Sequence, residues 1–304
     1  MAGRVASSKQ IRVLARGIGL RQLRLFSGSI LFAYLLSHLL NHALGNVSLE
    51  AMAEGVRWHT AFWQFLPVSI LFYSAGIVHT GLGLWALYER RQFRWRTTEL
   101  TQLLLGLTIP VLVMTHVLGA RLAYSLYGTE ILYPQVLFAF FVSWPAWRIW
   151  SMVAAVLAAW VHGCIGLHMW LRMKPFYRRA APLLLATAVL LPALALLGVY
   201  QGGRMVIDND SVEWRAENLS KEKIGTKAQH ETIDVAVEYS LMAYLGLIAL
   251  ALLAKGARTL HERRGGMINL SYGNGRAVRV PRGLTVLDAS LRHGHTRDFA
   301  QTCL

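Results

Sequence analysis

Six apolar stretches of about 20 residues dominate this 304-residue chain, each long enough to cross roughly 30 Å of bilayer hydrocarbon as a helix. They fall at 25–46, 66–89, 103–125, 149–171, 181–200 and 235–253. A backbone in hydrocarbon must satisfy its own polar groups, which restricts it to helices or a closed barrel, and spans of this length select the helix. Clusters of charge, Pro and Trp bound the spans, as at Trp144, Pro145 and Trp147, where interfacial aromatic belts are expected. The predicted architecture is an all-α membrane protein. A basic tail (1–24) precedes a six-helix transmembrane bundle (25–256), and a cytoplasmic segment (257–304) comes after it.

Only 15% of the residues are charged, against about 25% in soluble domains. The charge is nevertheless lopsided, 31 Lys+Arg against 16 Asp+Glu, or +15. A basic balance of that size can mark nucleic-acid binding, but a chain that is 55% hydrophobic argues against such a partner. Mapped onto the spans, the excess becomes topology. The two tails and the segments after the second and fourth spans hold 23 Lys+Arg and five acids, while the remaining loops hold 8 and 11. The basic side is cytoplasmic by the positive-inside rule, so both termini are expected inside. No cleavable leader is apparent in the basic first 24 residues. Cys164 and Cys303 exclude a disulfide framework, a four-cysteine cluster and a C-x-x-C-H haem attachment.

Six histidines lie within the first four spans: His38, His42, His79, His116, His162 and His168. An ionisable group in hydrocarbon is expensive and faces a partner, a cavity or a cofactor. His79 precedes Arg90 by 11 residues and His162 precedes Arg172 by 10, which puts both about 15–16 Å from the inner charges at about 1.5 Å per residue. His38 and His116 sit nearer the outer face, eight residues before Asn46 and nine before Ser125. Two pairs at two depths, with no carboxylate or thiolate among them, read as two bis-imidazole sites. That ligand set suits non-covalent, b-type haem better than a bare metal. The alternative is that the six are packing groups in a cofactor-free anchor.

Ser37, Gly76, Gly81, Gly83, Gly119, Gly163 and Gly166 could clear space for a flat macrocycle or serve ordinary helix packing. His42, one turn beyond His38, could contact a haem propionate or replace His38 as ligand. Arg121, five residues after His116, could pair with a propionate or stand as a solvated charge. His168 is expected to make an interfacial hydrogen bond. His59, His230, His261, His293 and His295 lie outside the spans and carry no expected role.

The first four spans resemble the di-haem cytochrome b membrane anchors of succinate dehydrogenases and quinol:fumarate reductases. Leu36-Ser37-His38-Leu39-Leu40-Asn41 and Val78-His79-Thr80-Gly81 carry the likeness in spans 1 and 2, Thr115-His116-Val117-Leu118-Gly119 and Val161-His162-Gly163 in spans 3 and 4. The resemblance implies that alternate helices share a haem: His38 with His116 for an outer haem b, His79 with His162 for an inner one. It also implies quinone or quinol as redox partner, with Trp85, Trp170 and Arg172 near the cytoplasmic end.

Those anchors have five spans, whereas this chain has a sixth and then a soluble segment that the anchors lack. Ile268, Leu270 and Tyr272 alternate, Asn274-Gly275 makes a turn signal, and Val278 and Val280 alternate again, so a hairpin is expected, then a short helix over 284–291. This resembles the opening of a plant-type 2Fe–2S ferredoxin domain. The cluster needs four cysteines, and the chain reaches Cys303-Leu304 without them, so no such cluster is expected in this chain. A longer parent, or a foreign last ten residues, would account for that.

Together these features resemble bacterial membrane-bound class III adenylate cyclases, which implies an inner-membrane location, a cytoplasmic cyclase output domain in the parent protein and a homodimer. The chain itself contains no cyclase domain, so the resemblance gives it no catalytic residues. The expected role is a redox-sensing anchor, with the cytochrome b subunit of a succinate or fumarate oxidoreductase as the alternative.

Overall fold

The computed structural model describes residues 8–90, 96–129, 132–220, 224–272, 277–282, 286 and 289–290. Long helices dominate: α1 (Ser8–Ala43), α2 (Leu49–Trp63), α3 (Leu66–Glu89), α4 (Thr97–Tyr127), α5 (Tyr133–Phe138), α6 (Trp147–Leu171), α7 (Tyr177–Asp208), α8 (Val212–Asn218) and α9 (Lys227–Arg264). A two-stranded ribbon comes next, β1 (Met267–Ser271) and β2 (Ala277–Pro281).

Six helical segments are long and apolar enough to cross a membrane: Gly19–Asn46, Leu66–Glu89, Thr97–Tyr127, Trp147–Leu171, Tyr177–Asp208 and Lys227–Glu262. They contain the six expected spans: span 2 keeps its expected bounds, span 4 begins two residues earlier, and the other four are longer by 6 to 17 residues. Span 1 continues backward as helix to Ser8, through much of the tail expected to stand apart. Ile77 and Leu183 keep 76% and 72% of their surface exposed, so acyl chains rather than protein would cover them. The protein is a multi-pass membrane protein with an all-α bundle.

By its internal packing the chain divides into two units, the first made of Met1–Leu82 and Thr101–Met242, the second of Gly83–Leu100 and Ala243–Leu304. In the first, span 1 crosses span 5 at two glycines. A Cβ on Gly45 would strike the Gly198 carbonyl, and one on Gly198 the His42 carbonyl, so only glycine permits this backbone approach. Asn46 Nδ2 donates to the Leu194 carbonyl at 2.8 Å beside the crossing. Trp160 Nε1 donates to the Ala188 carbonyl at 2.8 Å, tying span 4 to span 5.

Three short helices, α2, α5 and α8, cover one end of this unit. Ser48 caps α2 by accepting from the Ala51 amide at 3.0 Å, and Ser211 caps α8 by accepting from Trp214 at 3.1 Å. These caps satisfy amides that the first helical turn leaves open. Met52, Tyr133, Leu137, Phe138 and Val206 bury together, which fastens α2 and α5 over the spans. The 201–234 stretch, expected to be partly ordered, holds the end of α7, α8 and the start of α9. An Asp210–Arg215 pair brackets α8 with contacts of 2.5 and 2.6 Å, and the Arg215 guanidinium holds the Asp210 carboxyl below its usual range.

In the second unit, basic side chains of α9 cap the end of α3. Lys255 Nζ donates to the Leu87 carbonyl at 3.1 Å, and Arg258 Nη2 to those of Tyr88 and Glu89 at 2.7 and 3.3 Å. These carbonyls have no intrahelical partner, and cations there also complement the helix dipole. The ribbon has the expected antiparallel alternation, with Ile268 opposite Val280 and Leu270 opposite Val278. Its Asn274-Gly275 turn lies outside the described residues, as do Cys303, His293 and His295. Of the helix expected over 284–291, Val286, Ala289 and Ser290 are described and helical. Ser290 Oγ lies 2.9 Å from Tyr272 Oη.

Candidate functional site

The first four spans bring their histidines together in pairs. The rings of His38 and His116 have centroids 6.0 Å apart with planes at 50°. Those of His79 and His162 are 6.1 Å apart at 89°. The pairing is span 1 with span 3 and span 2 with span 4.

In the inner pair the unused nitrogens are spoken for. His79 Nδ1 is 3.2 Å from the Arg24 carbonyl and 3.2 Å from Ser27 Oγ. Ser27 Oγ itself donates to the Arg24 carbonyl at 3.1 Å. His162 Nδ1 is 2.9 Å from the Gln102 carbonyl. A carbonyl can only accept, so both rings carry hydrogen on Nδ1 and keep a lone pair on Nε2, the tautomer that ligates a metal through Nε2.

The outer pair sits in a different setting. His38 Nδ1 is buried and has no hydrogen-bond partner among the described residues. His42 packs edge-on against His38 at 4.4 Å, and its Nδ1 lies 3.0 Å from Tyr133 Oη. Tyr133 Oη in turn accepts from Asn41 Nδ2 at 2.5 Å. With Asn41 donating to it, the Tyr133 hydroxyl can donate to His42 Nδ1, an arrangement that puts the hydrogen on His42 Nε2. In that tautomer His42 is a hydrogen-bond donor suited to an anion, and its Nε2 has no lone pair for a metal.

His59, given no role from the sequence, belongs here. It lies on α2, with its ring 5.3 Å from His38 and 5.1 Å from Tyr34. Its buried Nε2 has no partner among the described residues, and burial holds its pKa below the ordinary histidine value. Burial also pushes the Tyr133 phenol up. No sequence signal within the spans could have recruited His59 or Tyr133, because both arrive on helices that fold back from the outer loops.

Several expected roles are redistributed. Arg121 Cζ stands 5.9 Å from the Tyr73 ring and 5.8 Å from that of Tyr124, a cation–π setting. His168 makes its interfacial hydrogen bond, 2.5 Å to Tyr177 Oη. Ser37 accepts from Trp63 Nε1 at 3.0 Å, and a Cβ on Gly163 would strike the Phe32 ring, so these two serve packing between elements. Gly81 and Gly119 face open space. Among the described residues, the glycines that lie against imidazole rings of the spans are Gly28, against His79, and Gly106, against His162.

These residues can be tested against a bis-imidazole haem. A ligating nitrogen lies about 2 Å from its metal, which puts the imidazole centroid about 3 Å away, so two axial rings stand about 6 Å apart. Both pairs meet that spacing, and the inner pair also has its Nε2 lone pairs free. His38 Nδ1 has no partner among the described residues, and ligation through Nε2 would leave that nitrogen as it is. Among the described residues no group of three or more His, Cys, Asp or Glu is arranged to hold a metal ion. The inner residues fit an axial pair in spacing and in tautomer, the outer residues in spacing alone. No protein-family model, curated protein or solved structure matches the chain.

Proposed function

We propose that this chain is a membrane di-haem b module that exchanges electrons with the quinone pool, and that it serves as the redox-sensing anchor of a cytoplasmic adenylate cyclase output domain in a longer parent protein. The observation that carries the first half is the pairing of alternate spans through two histidine pairs with centroids at 6.0 and 6.1 Å. His38 and His116 would hold the outer haem, His79 and His162 the inner one. When bound, such a group supplies one-electron transfer with no open coordination position. The chain's own residues orient the ligands: the Arg24 and Gln102 carbonyls fix the inner rings, and His42 offers a donor on the outer side. The charge map supports cytoplasmic basic ends, and with them cytoplasmic termini, while a bacterial inner membrane rests on the resemblance. The output domain and the quinone rest on the resemblance of the histidine spans and of the tail.

A pyridine haemochrome assay on the purified chain tests this reading. Two haem b per chain are expected, with one lost in His38→Ala and the other in His79→Ala. A colourless protein from cells well supplied with haem would overturn it. The sixth span and the ribbon favour a sensor over the anchor subunit of a succinate or fumarate oxidoreductase. Ferredoxin cysteines and a cyclase domain encoded downstream of Leu304 would support the sensor, whereas a neighbouring flavoprotein gene would support the subunit.

A further inference from the structure

Spans 1 and 3 carry one device twice. Arg24, Gly28 and His38 stand at the same spacing as Gln102, Gly106 and His116, four residues and then ten. The geometry repeats as closely as the spacing. A Cβ built on Gly28 would lie 2.9 Å from His79 Cε1 and 3.3 Å from its Nδ1, and one on Gly106 would lie 2.8 and 3.2 Å from the same atoms of His162. In both cases the carbonyl that meets Nδ1 belongs to the residue four positions before the glycine.

The physical reason lies in the helix ladder. Residues i and i+4 share a helix face, and the carbonyl of i already accepts the amide of i+4. A carbonyl oxygen has a second lone pair, but a side chain at i+4 obstructs the approach to it. Glycine leaves that approach open, so the imidazole of the neighbouring span can lie against the helix and donate to the carbonyl, which on Arg24 also accepts from Ser27 Oγ. Carbon atoms in contact prefer about 3.5–4.0 Å, so any Cβ here would push the ring away by more than about half an ångström. That is about the tolerance of a working ligand set.

We propose that Arg24–Gly28 and Gln102–Gly106 are two copies of a helix seat that sets the rotation and tautomer of His79 and His162. Gly28 and Gly106 are thus positioning residues of the inner pair, and spans 1–2 and 3–4 are two copies of one helix-pair unit. Each copy presents an outer histidine from the seat-bearing helix and an inner histidine from the helix it seats. The functional part of this inference rests on the haem reading above.

The test uses the full chain in Gly28→Ala and Gly106→Ala forms, with Gly246→Ala as control, because a Cβ on Gly246 meets nothing within 4 Å. Both seat variants should lose or shift the inner component alone. Haem content should fall from two towards one per chain, and the remaining absorption band and midpoint potential should match those that persist in His79→Ala. The control should be unchanged. Two haems with unaltered bands and potentials in both seat variants would overturn the seats. A readout independent of haem is the ¹⁵N spectrum of histidine-labelled wild-type chain prepared without haem, which covers variants that fail to fold. His79 and His162 should be protonated at Nδ1, and protonation at Nε2 would overturn the proposal. If the wild-type chain binds no haem, the proposed function fails while the ¹⁵N result still decides the seats.

Discussion

The imidazole planes of His79 and His162 are perpendicular, at 89° and a centroid separation of 6.1 Å. His38 and His116, at nearly the same separation, are inclined by 50°. Crossed ligand planes leave two iron d orbitals nearly equal in energy, so orbital angular momentum is less quenched. With haem bound, the inner site should therefore give the more anisotropic low-spin ferric signal in electron paramagnetic resonance. His79→Ala should remove the more anisotropic signal and His38→Ala the less anisotropic one, and the reverse assignment would contradict the ring geometry.

Tyr133→Phe should unfold more easily than wild type by about 1–3 kcal/mol, the cost of stranding a buried hydrogen-bonding group. The hydroxyl links Asn41, only 5% exposed, to His42. Thermal unfolding in detergent measures the difference. Tyr239→Phe, at a position 67% exposed, should leave the midpoint where it is.

Gly198→Ala should be among the most damaging single methyl additions in the bundle. Its Cβ would strike the His42 carbonyl, a backbone atom that no rotamer change can move. Overpacking of side chains costs about 1–3 kcal/mol, and a backbone clash should reach or exceed the upper end. A folded yield close to wild type on size-exclusion chromatography would show that spans 1 and 5 do not cross here.

Replacing Lys255 and Arg258 together by Met should fray the end of α3. Each charge-assisted hydrogen bond contributes about 1.5–3 kcal/mol, and a loss of 1.4 kcal/mol is about a tenfold change in an opening equilibrium. Amide exchange at Leu87, Tyr88, Glu89 and Arg90 should speed up at least about tenfold, and unchanged protection would show that the α9 cations do not cap that helix.

Orientation is open to a labelling experiment on a chain with Cys164 and Cys303 replaced by Ser. A membrane-impermeant maleimide should label Asn209→Cys in intact cells and Met173→Cys only after lysis. The opposite pattern would reverse the topology drawn from the charge map.

Much of the architecture was legible in the sequence because bilayer thickness imposes a length and a composition on each span. The six apolar stretches, the two depths of histidine and the alternation of the ribbon all come from local pattern. The glycine seats were half legible. Gly28 and Gly106 each precede an outer histidine by ten residues, but that spacing gains meaning only when the neighbouring span lays its own histidine on the glycine. Of the small residues near the histidines in sequence, Ser37 and Gly163 pack against other elements, while Gly81, Gly83 and Gly119 leave open space. Neighbours along a helix point in different directions, whereas a seat is defined across two helices.

The sequence by itself determined that this chain crosses a membrane six times with histidines in its first four spans, since hydrophobic length and charge act locally and need no partner. Only the tertiary structure decided which histidines meet, which nitrogen of His79 and of His162 carries hydrogen, and that His59 and Tyr133 come to lie beside His38 and His42. Those facts depend on contacts between residues far apart in the chain, such as Arg24 with His79 and His42 with Tyr133, and no periodicity encodes them.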